Sequence, residues 1–157
     1  MALEIERKFL VKDPSFINEA TSSRHIEQGY LSTDTNATVR VRIYDDKALI
    51  TVKGKTDGIA RSEWEYPIPL NDAREMLTLC HGIVIRKDRY IIPYNGFIWE
   101  VDVFTGKYDG LCVAEIELPS PDTPFPLPPF IGQEVSGDPR YYNSMLSRGV
   151  DFNDGSV

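Results

Sequence analysis

Fourteen charged side chains recur in this chain at the spacing that places residues on one face of a β-strand, where side chains two apart point the same way. Glu4, Glu6 and Lys8 share a face, with Leu3, Ile5, Phe9 and Val11 opposite. Arg40 and Arg42 oppose Val39, Val41 and Ile43, and Lys53 opposes Ile50 and Val52. Glu63 and Glu65 oppose Trp64 and Tyr66; Lys87 and Arg89 oppose Val84 and Tyr90. Glu100 and Asp102 oppose Trp99, Val101 and Val103, and Glu115 and Glu117 oppose Ala114, Ile116 and Leu118. Like charges about 7 Å apart repel by roughly 0.6 kcal/mol in bulk water, but by roughly 2.4 kcal/mol at an effective dielectric of 20. One such pair means nothing, whereas six strands sorted into acidic and basic sets are hard to assign to chance solvation. Six cations suit a polyanion such as a chain of phosphates. Carboxylates suit hard cations of the Mg²⁺ or Mn²⁺ type.

The elements that must carry these groups are mostly strands. Period-two alternation predicts eight of them, near 3–12, 25–32, 38–45, 47–54, 61–68, 83–92, 97–104 and 111–118. Asp45-Asp46 and Asn95-Gly96 make tight hairpin turns, and Thr56-Asp57-Gly58 a looser one. Three short helices are expected. One follows Asp13-Pro14 through Ser15–Ala20. A second opens at Asn71-Asp72 and closes at Gly82, and a third runs from Asp138-Pro139 to about Arg148. Residues 119–130 hold six of the eleven prolines and form an extended connector. With no internal repeat, the 157 residues make one domain, 1–157. The strands form an antiparallel sheet with its charged face in water, or a barrel without edges. A barrel has either an apolar interior or a charged one with helices over its apolar outside, and the pattern alone leaves these open.

Composition excludes several classes. The chain is 41% hydrophobic and 11% aromatic, which is not the composition of a disordered protein. A net charge of −7 disfavours general nucleic-acid binding. No apolar run approaches the ~20 residues of a membrane-spanning helix, and four charges in the first eight residues do not make a signal peptide. Cys80 and Cys112 fit neither metal spacing nor a disulfide framework and are read as small buried thiols of a cytoplasmic protein. His25, His81 and Arg86 are read as exterior, and Arg140 as pairing locally with Asp138. Tyr30 is a candidate to line the site and touch a phosphate. Ser and Thr near the charged strands show no nucleophile–base spacing. Trp64, Trp99 and the proline segment are candidate contacts for a homodimer.

The order of the charged strings is more informative than any one of them. Glu4-Ile5-Glu6-Arg7-Lys8 resembles the ExExK string of the CYTH superfamily, the triphosphate tunnel metalloenzymes. Val39-Arg40-Val41-Arg42, Thr51-Val52-Lys53-Gly54, Arg61-Ser62-Glu63-Trp64-Glu65 and Lys87-Asp88-Arg89-Tyr90 resemble its following strands in the same order. So do Glu100-Val101-Asp102-Val103-Phe104, Gly110-Leu111, Ala114-Glu115-Ile116-Glu117-Leu118 and, later, Glu134-Val135, Asp138 and Arg140-Tyr141-Tyr142-Asn143. The resemblance spans residues 1 to about 149. It implies a mainly β fold with a few helices: an eight-stranded antiparallel barrel around a charged tunnel, helices outside. It also implies a triphosphate substrate and a divalent metal, Mg²⁺ or Mn²⁺. By matched position, Lys8, Arg40, Arg42, Lys53, Lys87 and Arg89 bind phosphates. Glu4, Glu6 and Glu117 hold the principal metal, while Asp102 and Glu115 serve a second metal or the attacking water. Glu63, Glu65 and Lys87 are the catalytic candidates. The expected reaction is hydrolysis of inorganic tripolyphosphate to pyrophosphate and phosphate, with weaker action on nucleoside triphosphates. The rivals are an adenylyl cyclase of the same superfamily, a thiamine triphosphatase, and a non-catalytic polyphosphate-binding module.

Overall fold

In the computed structural model, which describes residues 2–150 and residue 152, nine strands and two α-helices follow one another. They are β1 (Ala2–Val11), β2 (Ser22–Ser32), β3 (Ala37–Tyr44), β4 (Lys47–Gly54), β5 (Ala60–Ile68), α1 (Leu70–Leu79), β6 (His81–Tyr94), β7 (Phe97–Thr105), β8 (Cys112–Glu117), β9 (Ile131–Glu134) and α2 (Asn143–Arg148). The first eight strands close into an antiparallel barrel in the order β5-β4-β3-β2-β6-β7-β8-β1, shut by pairing β5 with β1. Closure removes the unpaired edges of an open sheet.

β1 carries the closure because its two edges are used differently. On one edge, Glu6–Leu10 pair with β8 and the Ile5 carbonyl accepts from Leu118 N–H. Backbone groups alternate sides along a strand, so Glu6 N–H and the Lys8 carbonyl face the other edge. There Glu6 donates to the Ile59 carbonyl and Lys8 accepts from Val135 N–H. β5 and β9 therefore share one edge of β1, with β9 following where β5 leaves. The four-residue β9, just past the proline connector, is too short to show period-two alternation and is absent from the sequence expectation.

The apolar faces point outward and are covered. Ile5, Phe9, Trp99, Val101, Ala114 and Ile116 form the largest cluster, roofed by Phe125 and Phe130 of the connector and by Phe16. Trp99, expected as an uncovered exterior patch, is fully buried, its ring edge-on to Phe9 at 5.6 Å and Phe125 at 5.9 Å. Leu146 of α2 and Tyr141 pack with Ile85, Phe104 and Val113, while Ala73 of α1 packs with Val41 and Ala48. The apolar-interior alternative is thereby excluded.

The helices differ from expectation at their ends. The first is a 3₁₀ turn, Pro14–Glu19, capped by Asp13 accepting from Ser15 N–H. α1 starts at Leu70 with Pro69 as its N-cap, so Asn71-Asp72 lie inside its first turn. It stops at Leu79 because β6 begins at His81, which leaves Gly82 within the strand. The third splits into a 3₁₀ turn, Pro139–Tyr141, and α2, because Tyr142 is extended between them. At the β3–β4 hairpin Asp45 adopts φ 54°, and Asn95-Gly96 adopt 48° and 84° at the β6–β7 hairpin, the left-handed conformations that tight hairpin turns demand. Cys80 and Cys112 are half-buried rather than buried. Among the described residues, no helix is long and apolar enough to cross a membrane.

Candidate active site: a charged tunnel

The inward faces of all eight barrel strands meet in a cavity of about 430 Å³. Its lining includes Glu4 and Glu6 from β1, Arg40 and Arg42 from β3, Lys53 from β4, Glu63 and Glu65 from β5, Arg89 from β6, and Glu115 and Glu117 from β8. Lys8 and Tyr30 line a smaller chamber that continues the same space and shares Glu6, Arg40, Lys53 and Asn143 with it. Of the sequence-derived candidates, only Lys87 and Asp102 line neither space. Both are buried in the wall, with the Lys87 Nζ 2.7 Å from Asp102 Oδ2.

Strand register explains which groups meet. Lys53 stands opposite Glu63, Thr51 opposite Glu65, Arg40 opposite Thr51 and Arg89 opposite Asp102. Thr51 Oγ1 accepts from Arg40 Nη2 at 3.2 Å and donates to Glu65 Oε2 at 2.7 Å. Arg89 grips Asp102 with two bonds, 2.7 Å and 2.9 Å, and reaches Glu100 at 3.1 Å. Lys53 pairs with Glu4 at 2.9 Å and Lys8 with Glu115 at 3.4 Å. Arg42 is different: its Nε donates only to the neutral Gln28 Oε1, at 2.8 Å.

Charge is consequently unbalanced within the tunnel. Burial and the neighbouring Arg40 and Arg89 push the Arg42 guanidinium down to about 9. On the acidic side, a hydrogen bond with Glu4, then burial and the Glu4 charge, push Glu63 up to about 8. Burial, with Glu115 and Glu4 nearby, raises Glu6 well above the ordinary carboxylate range. Burial also opposes ionisation of Glu4, but its hydrogen bond with Glu63 and the Lys53 ammonium outweigh that and hold it low. Two buried donors, Arg40 Nε and Gln28 Nε2, have no acceptor. A guanidinium held only by a neutral amide, beside open buried donors, calls for anionic oxygens, and crowded carboxylates call for a cation. The carboxylates Glu4, Glu6, Glu115 and Glu117 are the hard oxygen donors that Mg²⁺ and Mn²⁺ take. Among the described residues no three acidic, His or Cys groups already stand in a ready-made metal cage, so the donor type fits while the side chains must close on the ion.

Several lining residues escaped the sequence reading. Arg61 lies two residues before Glu63, on the same face, so period two alone could have found it, while Gln28, fully buried in the wall, holds Arg42 without lining either space. Arg24 sits at the wide mouth with its guanidinium 5.0 Å from the Tyr44 ring centroid. Asn143 comes from α2 and accepts from Lys87 Nζ at 3.3 Å, a contact no strand pattern reveals. His25 and Arg86 are exterior as expected, joined to Asp88 and Glu27 respectively. Arg140 pairs with Asp138.

Fold and lining define the class: a closed antiparallel barrel whose ionic groups face a central tunnel. The chain belongs to the CYTH domain family, whose sequence model matches residues 2–142. A protein of Acetivibrio thermocellus named inorganic triphosphatase is 48% identical over 147 residues, 93% of this chain and 94% of that protein. A protein of the same name from Nitrosomonas europaea is 34% identical over 152 residues, 94% of this chain and 98% of its own length. A crystal structure of an inorganic triphosphatase superposes with a TM-score of 0.67 at 31% identity, covering 96% of this chain and 97% of that one. A Hippeastrum protein described as an adenylyl cyclase with dominant triphosphatase activity shares the fold, with a TM-score of 0.60 at 16% identity over 75% of this chain and 80% of that one.

Proposed function

We propose that the chain hydrolyses inorganic tripolyphosphate to pyrophosphate and orthophosphate with a divalent cation, Mg²⁺ or Mn²⁺. The observation that carries this is the coexistence, in one cavity of about 430 Å³, of Arg42, which has no carboxylate ion pair among the described residues, and of crowded carboxylates such as Glu6. The named relatives support the same substrate. Arg40, Arg42, Lys53 and Arg89 bind the phosphate oxygens from the cavity wall, with Lys8 and Tyr30 further in. Glu4, Glu6 and Glu117, with Glu115, hold the cation, which when bound offsets charge on the phosphate oxygens and lowers the pKa of bound water. Both oxygens of Asp102 are taken by Arg89 and Lys87, so Asp102 positions those cations.

Phosphoryl transfer depends on positioning and charge neutralisation more than on covalent chemistry. A water oxygen attacks the terminal phosphorus in line and the bridging P–O bond breaks. Its electron pair leaves on pyrophosphate, and the water proton passes to a carboxylate. Glu63, pushed up to about 8 by its hydrogen bond with Glu4, by burial and by the Glu4 charge, is the carboxyl group that takes that proton in its ionised form. Glu65, anchored by Thr51, orients the water. Product analysis by ³¹P NMR tests this: tripolyphosphate gives equal pyrophosphate and orthophosphate, and ATP gives ADP and orthophosphate. Cyclic AMP with pyrophosphate from ATP would make the chain a cyclase; binding of tripolyphosphate without products would make it a phosphate-binding module.

A further inference from the structure

The tunnel continues past Arg40 into a narrow chamber of about 70 Å³. The approach from the wide mouth runs along β3, from Tyr44 past Arg42 and Arg40 to Thr38, with the first three lining the large cavity and Thr38 only the small one. The chamber has about one-sixth the volume of the main cavity and forms the narrow end of the tunnel.

Arg61 gives the chamber its character. Its register partner across β1 is Glu4, yet the Glu4 carboxylate is engaged by Lys53. The Arg61 guanidinium donates instead to two neutral acceptors, the Gly54 carbonyl at 3.1 Å and Thr38 Oγ1 at 3.2 Å. These bonds use Nε and Nη2 and hold the guanidinium in place. No ion pair to a carboxylate is found for it among the described residues. Lys8 enters from the opposite wall, and the Arg40 Nε, buried and without an acceptor, belongs to the side chain that separates the two spaces. A fixed guanidinium without a carboxylate partner among the described residues and an orphaned buried donor make an anion site there; the Lys8 ammonium, paired with Glu115 at 3.4 Å and donating to the Tyr141 carbonyl at 3.1 Å, and the Glu6 carboxyl complete its lining.

We propose that this chamber is a subsite for a single orthophosphate, held by Arg61, at the end of the tunnel where the terminal phosphate of the substrate points. This rests on the hydrolytic reading above and adds a polarity to it. Pyrophosphate stays in the larger main cavity and leaves by the wide mouth, while orthophosphate occupies the narrow end.

The test titrates inorganic phosphate and, separately, pyrophosphate into the full-length protein by calorimetry, for the unmodified chain, Arg61→Gln and Arg61→Lys. The expected result is orthophosphate binding weakened about tenfold or more in R61Q, as for loss of a charge-assisted contact. R61K, which keeps the charge, recovers part of it, and pyrophosphate affinity changes less than about threefold in both. Equal orthophosphate binding by R61Q, an equal loss of both ligands, or no orthophosphate binding by the unmodified chain overturns the subsite. Should R61Q fail to fold, Thr38→Val decides, because it removes the hydroxyl that holds Nη2 and keeps the charge. Weaker orthophosphate binding with pyrophosphate unchanged supports the subsite, and unchanged orthophosphate binding overturns it. Tripolyphosphate turnover is read separately. Turnover without the ligand discrimination removes the subsite alone, and discrimination without turnover removes the hydrolase.

Discussion

Asp102 shows how single residues hold the tunnel's charge in place. It is buried, accepts two bonds from Arg89 and one close contact from Lys87, and these cations keep its carboxyl far below the ordinary range despite burial. Asp102→Asn leaves the Lys87 ammonium without its anion and Arg89 with Glu100 alone, and breaking a buried pair costs about 3–5 kcal/mol. At roughly 2–4 °C per kcal/mol for a chain of this size, differential scanning calorimetry is expected to show Tm lowered by about 6–20 °C; an unchanged Tm would contradict the assigned role. Glu6 is the opposite case, an acid crowded by Glu115 and Glu4. Glu6→Gln relieves that crowding, so its Tm is expected at or above that of the unmodified chain, while turnover falls about a hundredfold or more through loss of a metal-holding oxygen. Lys53→Ala is expected to lose turnover by a similar factor, having removed a phosphate-facing ammonium. Wild-type turnover in a folded Lys53→Ala or Glu6→Gln protein would refute the site assignment.

At the scale of elements, close approach and strand pairing decide the predictions. A Cβ at Gly29 would stand 2.7 Å from Cys80 Sγ and 2.9 Å from Cys80 Cβ, so Gly29 is what lets the end of α1 lie against β2. Gly29→Ala is expected to cost about 1–3 kcal/mol through overpacking, visible as a lower denaturation midpoint, and Cys80→Ala in the same chain should restore only part of it, because it removes the Sγ contact and keeps the Cβ contact at 2.9 Å. On the outer face of the β2–β6 pair, His25 is bonded to Asp88 at 2.9 Å and lies near Glu27. The bond to Asp88, with the charges of both acids, outweighs the small effect of burial and raises the imidazole above its ordinary value. The folded-state value exceeds the unfolded one, so the stabilisation is full below the unfolded value and fades as pH rises through the folded one. NMR titration of His25 is expected to move down on Asp88→Asn, and no movement would contradict the pairing. Seven of the eight barrel strands were legible in the sequence because their charged residues fall on one face at period two, and β2 was legible from period-two alternation without such charges. Helix ends were not: Pro69, Cys80 and Tyr142 are set by where β5, β6 and the 3₁₀ turn at Pro139–Tyr141 leave the chain, which is tertiary information. β9 owes its existence to the edge of β1 left free beyond β5, so its own four residues carry little signal.

For the whole molecule, the decisive physical fact is inversion, with ionic groups inside and aromatic and aliphatic groups outside under helices and a proline-rich strap. Phe125 of that strap lies edge-on to Phe9, Phe97 and Trp99, and Arg7 sits 5.0 Å above its ring. Phe125→Ala is expected to cost about 1–3 kcal/mol, less than for a fully buried ring, and to shift Trp99 fluorescence to the red as water reaches it; an unshifted spectrum would contradict the strap's role. Pattern alone left this inversion undecided, because alternation marks two faces without saying which is enclosed. Arg24 and Asn143 stayed hidden as site residues for a related reason: each becomes part of the site only when the barrel closes or α2 covers its end. The most direct test of the tunnel as a triphosphate hydrolase is phosphate release from tripolyphosphate beside ATP, with Mg²⁺, with Mn²⁺ and with metal chelated. Rapid release that needs the metal and favours tripolyphosphate is the expected result. Release unaffected by chelation, or none from a folded protein with either metal, would contradict it.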